Sequence, residues 1–343
     1  MSGVNRSVVL VTAALLALGF ASSVGAQSPS PGGGTPAAAQ APATGSATAT
    51  PAPAPKPAVV APKRFASADD AVHALVTALR ANDTKALIGV LGSQGRTLIS
   101  SGDAVVDREA RERFLQAYDA TSRLVSSGKA TVLRIGQDDW PFPIPVVQDG
   151  GGWRFDATQG REEIIARRIG RNELNTIQVC LAYVDAQREY YSEDRNFDGV
   201  LEYAMQFAST PGKREGLYWP TEPGQRPSPL GDLVARAQAK GYQLGKTAGP
   251  APFHGYLFRI LTKQGPAARD GAYDYVVRNH MIAGFGLVAF PADYGISGVM
   301  TFIVNHDGVV YQKDLGPTTK TIAASMRMFN PDKTWSKVDV PEM

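Results

Sequence analysis

Apolar residues recur at helical spacing between residues 64 and 120, and they alternate with polar residues soon afterwards. A helix is predicted to begin after Ser67, which is a typical N-cap residue and is followed by the acidic residues Asp69 and Asp70. Apolar residues then recur every three or four positions. Two further helices are predicted from Thr84 and over Arg108–Ala120. The strands predicted after them are Ala130–Ile135, Ile144–Gln148 and Gly152–Asp156, and the string VVQDGGGWRFD predicts a hairpin between the last two.

A longer stretch of residues with helical spacing follows, from Arg161 to Tyr191. Arg161–Arg171 carries glutamates and arginines at spacings that support ion pairs along one helix face. Asn172–Tyr191 follows as the strongest predicted helix. Its apolar residues are expected to form one buried stripe: Leu174, Ile177, Cys180, Leu181 and Val184.

Short apolar runs separated by glycines follow this helix. They predict a short helix at Asp232–Gly241 and a small antiparallel sheet, in which His306-Asp307-Gly308 forms a tight turn. The predicted strands are Tyr256–Thr262, Ile282–Phe290, Val299–Val304 and Val309–Asp314. Helices followed by hairpin-linked strands indicate an α+β fold. We therefore expect two α+β domains, at residues 64–170 and 171–340.

The first 63 residues differ from the rest in composition. Arg6, the apolar run Val8–Phe20 and the small residues Val24-Gly25-Ala26 are typical of a secretory signal over residues 1–26. The alternative is an uncleaved anchor. Residues 27–63 consist mostly of Ala, Pro, Gly, Ser and Thr, and this composition predicts a disordered tether. The product is expected to be periplasmic or secreted, with no transmembrane segment after signal cleavage.

Composition narrows the classes of function. The net charge of +3 arises from 35 basic and 32 acidic residues without any basic block, which argues against a nucleic-acid partner. The single cysteine, Cys180, excludes an intramolecular disulfide and a cysteine-based zinc site. Its place on the apolar stripe predicts a buried thiol, and the alternative is a nucleophile paired with His254.

The string DRNFDGVLE, which follows the long helix, has the chemistry of a cation site. Oxygen-bearing side chains alternate along it, and Gly199 permits a sharp reversal, as in calcium-binding loops. The twelfth position of such a loop would be Met205, so the bidentate glutamate is missing. The alternative is a turn in which the side chains bond their own backbone. The candidate calcium ligands are Asp194, Asn196, Asp198, Val200 and Glu202.

Two further groups are candidates for chemistry. His254, Tyr256 and His280 lie next to predicted strands and form a second candidate site if they converge. Asp103 and Asp107 are candidate catalytic carboxylates, but their surroundings favour a turn and a helix cap. The nucleotide-binding, zinc-protease and serine-hydrolase motifs do not occur. Catalytic and cofactor-binding residues are therefore not assigned.

Three resemblances follow from these strings. Residues 64–170, with the late strand Trp153-Arg154-Phe155-Asp156, resemble NTF2-like domains, which implies a helix-covered cone that holds a ligand pocket. The later pattern HGYxF, AxP, YGxSG and FxVxxxGxV resembles the globular head of type IV pilins and pseudopilins, in some of which calcium orders a loop. Pilins begin with an apolar helix, whereas the corresponding helix here is internal and amphipathic.

The third resemblance is longer. Residues 140–340 are similar to the DUF2950 family of secreted bacterial proteins of unknown function. The similarity rests on the strings FPIPxV, RRIGRNEL, YYSxDRNxDGxxEYA, GLYWP, SPLG, HGYxFRIL, YGxSGVMTFIVN and VVYQKDLG.

The combined expectation is an exported cell-envelope protein that acts as a non-enzymatic binding or assembly module. Its partner is an unidentified envelope protein or ligand, and calcium is the candidate cofactor. The alternative is a small-ligand-binding protein, or an enzyme of the hydrolase or isomerase type, that uses the NTF2-like pocket. A further alternative is a minor component of a secretion or pilus apparatus.

Overall fold

The computed structural model describes residues 59–127, 130–242 and 251–339. The predicted signal and most of the tether lie outside the described residues. The helices are α1 (Ala68–Arg80), α2 (Thr84–Leu91), α3 (Arg96–Ile99), α4 (Ala104–Ala120), α5 (Arg161–Tyr191), α6 (Gly231–Ala239) and α7 (Thr319–Ser325).

Among the described residues, the strands of four or more residues all belong to two five-stranded sheets. The strands are β1 (Ser122–Ser127), β2 (Ala130–Ile135), β3 (Trp140–Pro141), β4 (Val146–Asp149), β5 (Gly152–Phe155), β6 (Gln206–Ala208), β7 (Gly216–Tyr218), β8 (Tyr256–Leu261), β9 (Lys263–Gln264), β10 (Tyr273–Asp274), β11 (Val276–Val277), β12 (His280–Met281), β13 (Gly286–Pro291), β14 (Met300–Asn305), β15 (Tyr311–Asp314), β16 (Met328–Phe329) and β17 (Ser336–Lys337).

The first sheet packs against α1, α2 and α4. Its strand order is β1-β2-β4-β5, with β3 paired to β2, and each pair is antiparallel. The predicted hairpin is confirmed, because Asp149 of β4 pairs with Gly152 of β5. The predicted cap is confirmed as well, since Ser67 accepts a hydrogen bond from the Asp70 backbone at 3.0 Å. Apolar side chains of α1, α2 and the sheet, including Leu75, Leu133 and Phe155, fill the space between these layers.

Helix α5 runs without a break from Arg161 to Tyr191, a length of 31 residues. The two helices that were predicted separately are therefore one, and it passes through position 170, where the sequence suggested a domain boundary. Gly160 caps its start with a left-handed backbone (φ +72°). Arg168 fastens the helix to the earlier part of the chain, because its guanidinium donates to the Thr97 and Leu98 carbonyls, both at 2.7 Å.

The buried face of α5 lies against the second large sheet. Ile177, Cys180 and Val184 are buried there with Phe302 and Val304 of β14, as the stripe predicted. The helix therefore packs on a sheet of its own chain.

The stripe prediction was wrong for Leu174, which is 66% exposed. Thr176 is fully buried. Leu174 precedes it by two positions and therefore points about 200° around the helix from it, towards the opposite face. The buried face follows Asn172, Thr176 and Tyr183, so polar residues occupy part of the line that was expected to be apolar.

The second sheet has the strand order β17-β15-β14-β13-β8 and is antiparallel throughout. The turn at residues 306–308 joins β14 to β15 as predicted. The single strand expected over Ile282–Phe290 was wrong: β12 ends at Met281 and β13 begins at Gly286. Gly284 lies between them at a φ of +145°, a conformation that interrupts an extended strand.

These elements confirm the α+β class. The NTF2-like and pilin-like details stay predictions, as does the division into two domains. Among the described residues, none of the helices is long and apolar enough to cross a membrane.

Burial of Cys180 predicts an unreactive thiol. The side chain is fully buried on α5, and desolvation raises the pKa of the thiol far above its ordinary value. We expect a thiol reagent such as DTNB to label native protein far more slowly than protein unfolded in guanidinium, since the thiolate is the reactive form. Equal labelling rates would contradict the burial and revive the nucleophile hypothesis.

Candidate functional site

The loop at residues 194–202 begins three residues after α5 ends and is held in shape by its own side chains. The Asp194 carboxylate accepts hydrogen bonds from the backbone N–H groups of Asp198 (3.3 Å) and Gly199 (2.9 Å). Gly199 has a φ of +87°, which a residue with a side chain rarely adopts. Buried Arg195 anchors the loop to the helix, because its guanidinium donates to the Glu189 carbonyl at 2.9 Å. This part of the structure has the backbone-bonded turn that the sequence left as an alternative.

The remaining loop side chains converge on His280 of β12. His280 Nδ1 lies 3.0 Å from Glu202 Oε2 and 3.6 Å from Asp198 Oδ2. The Asn196 amide nitrogen donates to both carboxylates, to Asp198 Oδ2 and Glu202 Oε1, at 2.7 Å each. One potential ligand atom from each of Asp198, Glu202 and His280 lies within 4.8 Å of the others. We call Asp198, Glu202 and His280 the carboxylate–histidine cluster.

Backbone contacts bring the two parts of the cluster together. Directly after Glu202, the Tyr203 N–H donates to the Met281 carbonyl at 2.8 Å, so the end of the loop pairs with β12. On its other side β12 pairs with β11, where Val277 lies opposite His280. The histidine thus lies on a strand whose neighbour on one side is the end of the loop. Glu202 and His280 are 78 residues apart in sequence.

The cluster opens into a cleft of about 340 Å³. A third carboxylate, Glu215, lies in the same lining, and the hydrogen bond from the Thr210 hydroxyl holds the pKa of Glu215 below its usual range. Lys213 pairs with Glu215 at 3.4 Å, so Asp198 and Glu202 are the carboxylates of the lining that suit a cation. Its lining consists of Asn196, Asp198, Glu202, Tyr203, Met205, Gln206, Glu215, Asn279 and His280.

Apolar side chains lie exposed on both segments that carry the cluster. Phe197, between Asn196 and Asp198, is 78% exposed. Exposed apolar residues contribute to a binding surface where they form one contiguous patch. The other large apolar residues exposed on these segments are Leu201, Met205, Val277 and Ile282.

The five residues predicted as calcium ligands therefore do not all face the same point in the loop. Asp198 and Glu202 belong to the cluster, and Asn196 bridges them. Asp194 bonds the loop backbone instead. The Val200 N–H donates to Asp198 Oδ1 at 2.9 Å.

The other predicted group does not form one site: its members His254, Tyr256 and His280 each contact different residues. His254 lies against the Phe253 ring, with 4.1 Å between ring centroids. The Tyr256 hydroxyl donates to the Met300 carbonyl at 2.9 Å, and burial raises the pKa of this phenol far above its ordinary value. His280 contacts Glu202 and Asp198, so it belongs with the loop. Sequence reasoning did not connect it with the loop, and it missed Glu215 and Asn279 entirely.

Asp103 is the other buried carboxylate that the sequence singled out, and the capping interpretation is confirmed. Its Oδ1 accepts from the Val105 and Val106 N–H groups at the start of α4, at 3.1 and 3.2 Å. Its Oδ2 accepts from the Tyr242 hydroxyl at 2.9 Å and the Gly255 N–H at 3.1 Å. Desolvation raises the pKa of Asp103 despite these four hydrogen bonds. The carboxylate thus joins α4 to the later part of the chain.

Comparison with known proteins identifies the family. No curated protein and no solved structure matches the chain significantly. A family model described as "Protein of unknown function (DUF2950)" matches residues 62–338, which include both large sheets, α5 and the carboxylate–histidine cluster. The chain is therefore a member of the DUF2950 family of proteins of unknown function.

Proposed function

We propose that this protein is an exported, non-enzymatic binding module of the cell envelope whose loop 194–202 binds a divalent cation. The observation that carries the proposal is the convergence of Asp198 and Glu202 with His280, a residue from a distant strand. Calcium is the ion that the loop sequence alone suggested.

The charge of the cleft supports cation binding. Two carboxylates of the cluster approach one imidazole nitrogen, and Glu215, which pairs with Lys213, lies in the same lining. A divalent ion placed among these groups would neutralise two carboxylates that otherwise repel each other. Because the loop and β12 each contribute to the cluster, the ion would join two segments that are distant in sequence.

The surroundings of the cluster support a binding role. Phe197 and Leu201 are exposed on the loop, and Val277 is exposed on the strand that pairs with His280. A cation that fixes the loop would also fix the position of these apolar side chains for a partner. Export is supported by the signal pattern of the first 26 residues and the Pro/Ala-rich segment after it.

Thermal unfolding tests the proposed function. Chelator-treated protein is melted with Ca²⁺, Mg²⁺, Mn²⁺ or Zn²⁺, each added alone. At least one ion is expected to raise the Tm by about 5 °C when its concentration is about 100 times its Kd, since binding to the folded state alone adds about 2.7 kcal/mol. Glu202→Gln should abolish the increase.

Asp185→Asn is the matched control for that experiment. Asp185 is an α5 carboxylate whose side chain is 80% exposed, so this variant should retain the full increase in Tm. The proposal is contradicted if all four ions leave the wild-type Tm unchanged, or if Glu202→Gln responds as the wild type does.

A further inference from the structure

We infer that the cation of this site is a transition-metal ion of the zinc class, bound through the His280 imidazole, rather than calcium. The inference rests on the proposed function, because it names the ion of the same cluster. It departs from the sequence-based prediction of calcium, which considered only the loop.

The donor set is the first argument. Calcium takes six to eight oxygen ligands, whereas zinc takes about four donors and accepts imidazole nitrogen readily. His280 Nδ1 lies within 3.6 Å of one oxygen from each of Asp198 and Glu202. Donors around a tetrahedral zinc ion are about 3.4 Å apart, given bonds of about 2.1 Å. The separations of 3.0 and 3.6 Å from His280 Nδ1 are close to this spacing, and the potential ligand atoms of all three side chains lie within 4.8 Å of one another.

The oxygens missing from the loop are the second argument. A calcium loop of this spacing would draw on the Asp194 carboxylate and on a bidentate glutamate at position 205. Both Asp194 oxygens accept backbone hydrogen bonds, and position 205 is methionine. The cluster and Asn196 thus offer at most five side-chain oxygens, so calcium would need backbone or water oxygens to complete its six to eight ligands. Zinc needs only one donor from each of these side chains and the imidazole nitrogen.

Asn196 provides the third argument. Its side-chain oxygen Oδ1 is buried and has no hydrogen-bond partner among the described residues. Its amide nitrogen lies 2.7 Å from an oxygen of both Asp198 and Glu202. Rotating the amide by half a turn would bring Oδ1 towards these two carboxylates, an arrangement that is repulsive unless a cation lies among the three oxygens. With an ion bound, the rotated Asn196 amide would supply Oδ1 as a fourth donor, and the ion would replace the two hydrogen bonds that its nitrogen now donates to the carboxylates.

Cobalt absorption tests the inference on the folded chain. Chelator-treated protein is titrated with Co²⁺, and the visible d–d absorption reports its ligands. We expect a band that an equimolar amount of Zn²⁺ removes and a large excess of Ca²⁺ does not. His280→Gln should weaken Zn²⁺ binding by at least about 100-fold, because it removes a metal ligand. His73→Gln, which changes an exposed histidine on α1, should bind Zn²⁺ as the wild type does.

The outcomes separate this inference from the proposed function. Calcium binding that excludes zinc and is unaffected by His280→Gln would overturn the inference and leave the proposed function intact. Failure of every ion to bind would overturn both. Because the His280 side chain is partly exposed, the variant is expected to fold, and circular dichroism together with the Tm without metal verifies this.

Discussion

Asp103→Ala is expected to lower the free energy of unfolding by about 3 kcal/mol, because it removes the acceptor of four hydrogen bonds at a site that is 2% exposed. The variant would leave the Val105, Val106 and Gly255 N–H groups without this acceptor. It would also leave the Tyr242 hydroxyl without its carboxylate partner. The loss should appear as a decrease in Tm of about 6 °C and an earlier midpoint in urea.

Asp83→Ala is the matched control for Asp103→Ala. Asp83 caps α2 by accepting one hydrogen bond, from the Ala86 N–H at 2.9 Å, and it is exposed. Loss of an exposed cap costs about 1 kcal/mol. If Asp103→Ala costs no more than Asp83→Ala, then Asp103 only caps α4 and does not stabilise the contact with Tyr242 and Gly255.

Gly160→Ala is the second substitution with a large expected effect. Gly160 precedes α5 at a φ of +72°, and an added Cβ would lie 2.0 Å from the Pro143 carbonyl oxygen. The chain must relieve both the unfavourable φ and the overlap with another backbone segment. We expect a loss of about 2–4 kcal/mol in the free energy of unfolding, measured by urea denaturation.

The same substitution within α5 is its control. Gly170 is exposed on this helix, and nothing lies within 4 Å of the position that its Cβ would take. Gly170→Ala should leave stability unchanged or raise it by up to about 1 kcal/mol, since alanine is the better helix former. Equal effects at the two positions would show that the positive φ and the close approach of the Pro143 carbonyl at Gly160 do not constrain this position.

Local sequence signals predicted the parts of the fold that depend on neighbouring residues. The Ser67 cap, the β4–β5 hairpin and the turn at residues 306–308 all formed as expected, because a few adjacent residues specify each of them. Strands of two residues such as β11 and β12 carry too little periodicity to be detected. The interruption at Gly284 was missed for a related reason, since the residues around it remain apolar.

The candidate site was predicted only in part. Asp198 and Glu202 were recognised from spacing within one loop, whereas their approach to His280 depends on pairing of Tyr203 with Met281, which no local pattern encodes. The periodicity of α5 likewise indicated a buried stripe but not which polar residues would share it. Asn172 and Thr176 are buried while Leu174 is exposed, because both polar side chains find hydrogen-bond partners. The Asn172 amide donates to the Ser297 carbonyl, and the Thr176 hydroxyl donates to the Asn172 carbonyl of the same helix, both at 2.8 Å.

Anomalous diffraction from crystals grown with zinc, and separately with calcium, tests the cation site most directly. In at least one of the two crystals, we expect a peak about 2.0–2.6 Å from a carboxylate oxygen of both Asp198 and Glu202. In the zinc crystal the peak should also lie about 2.1 Å from His280 Nδ1. A cluster without a bound ion in both crystals, at saturating metal, would contradict the proposal that loop 194–202 and β12 form a cation-binding site.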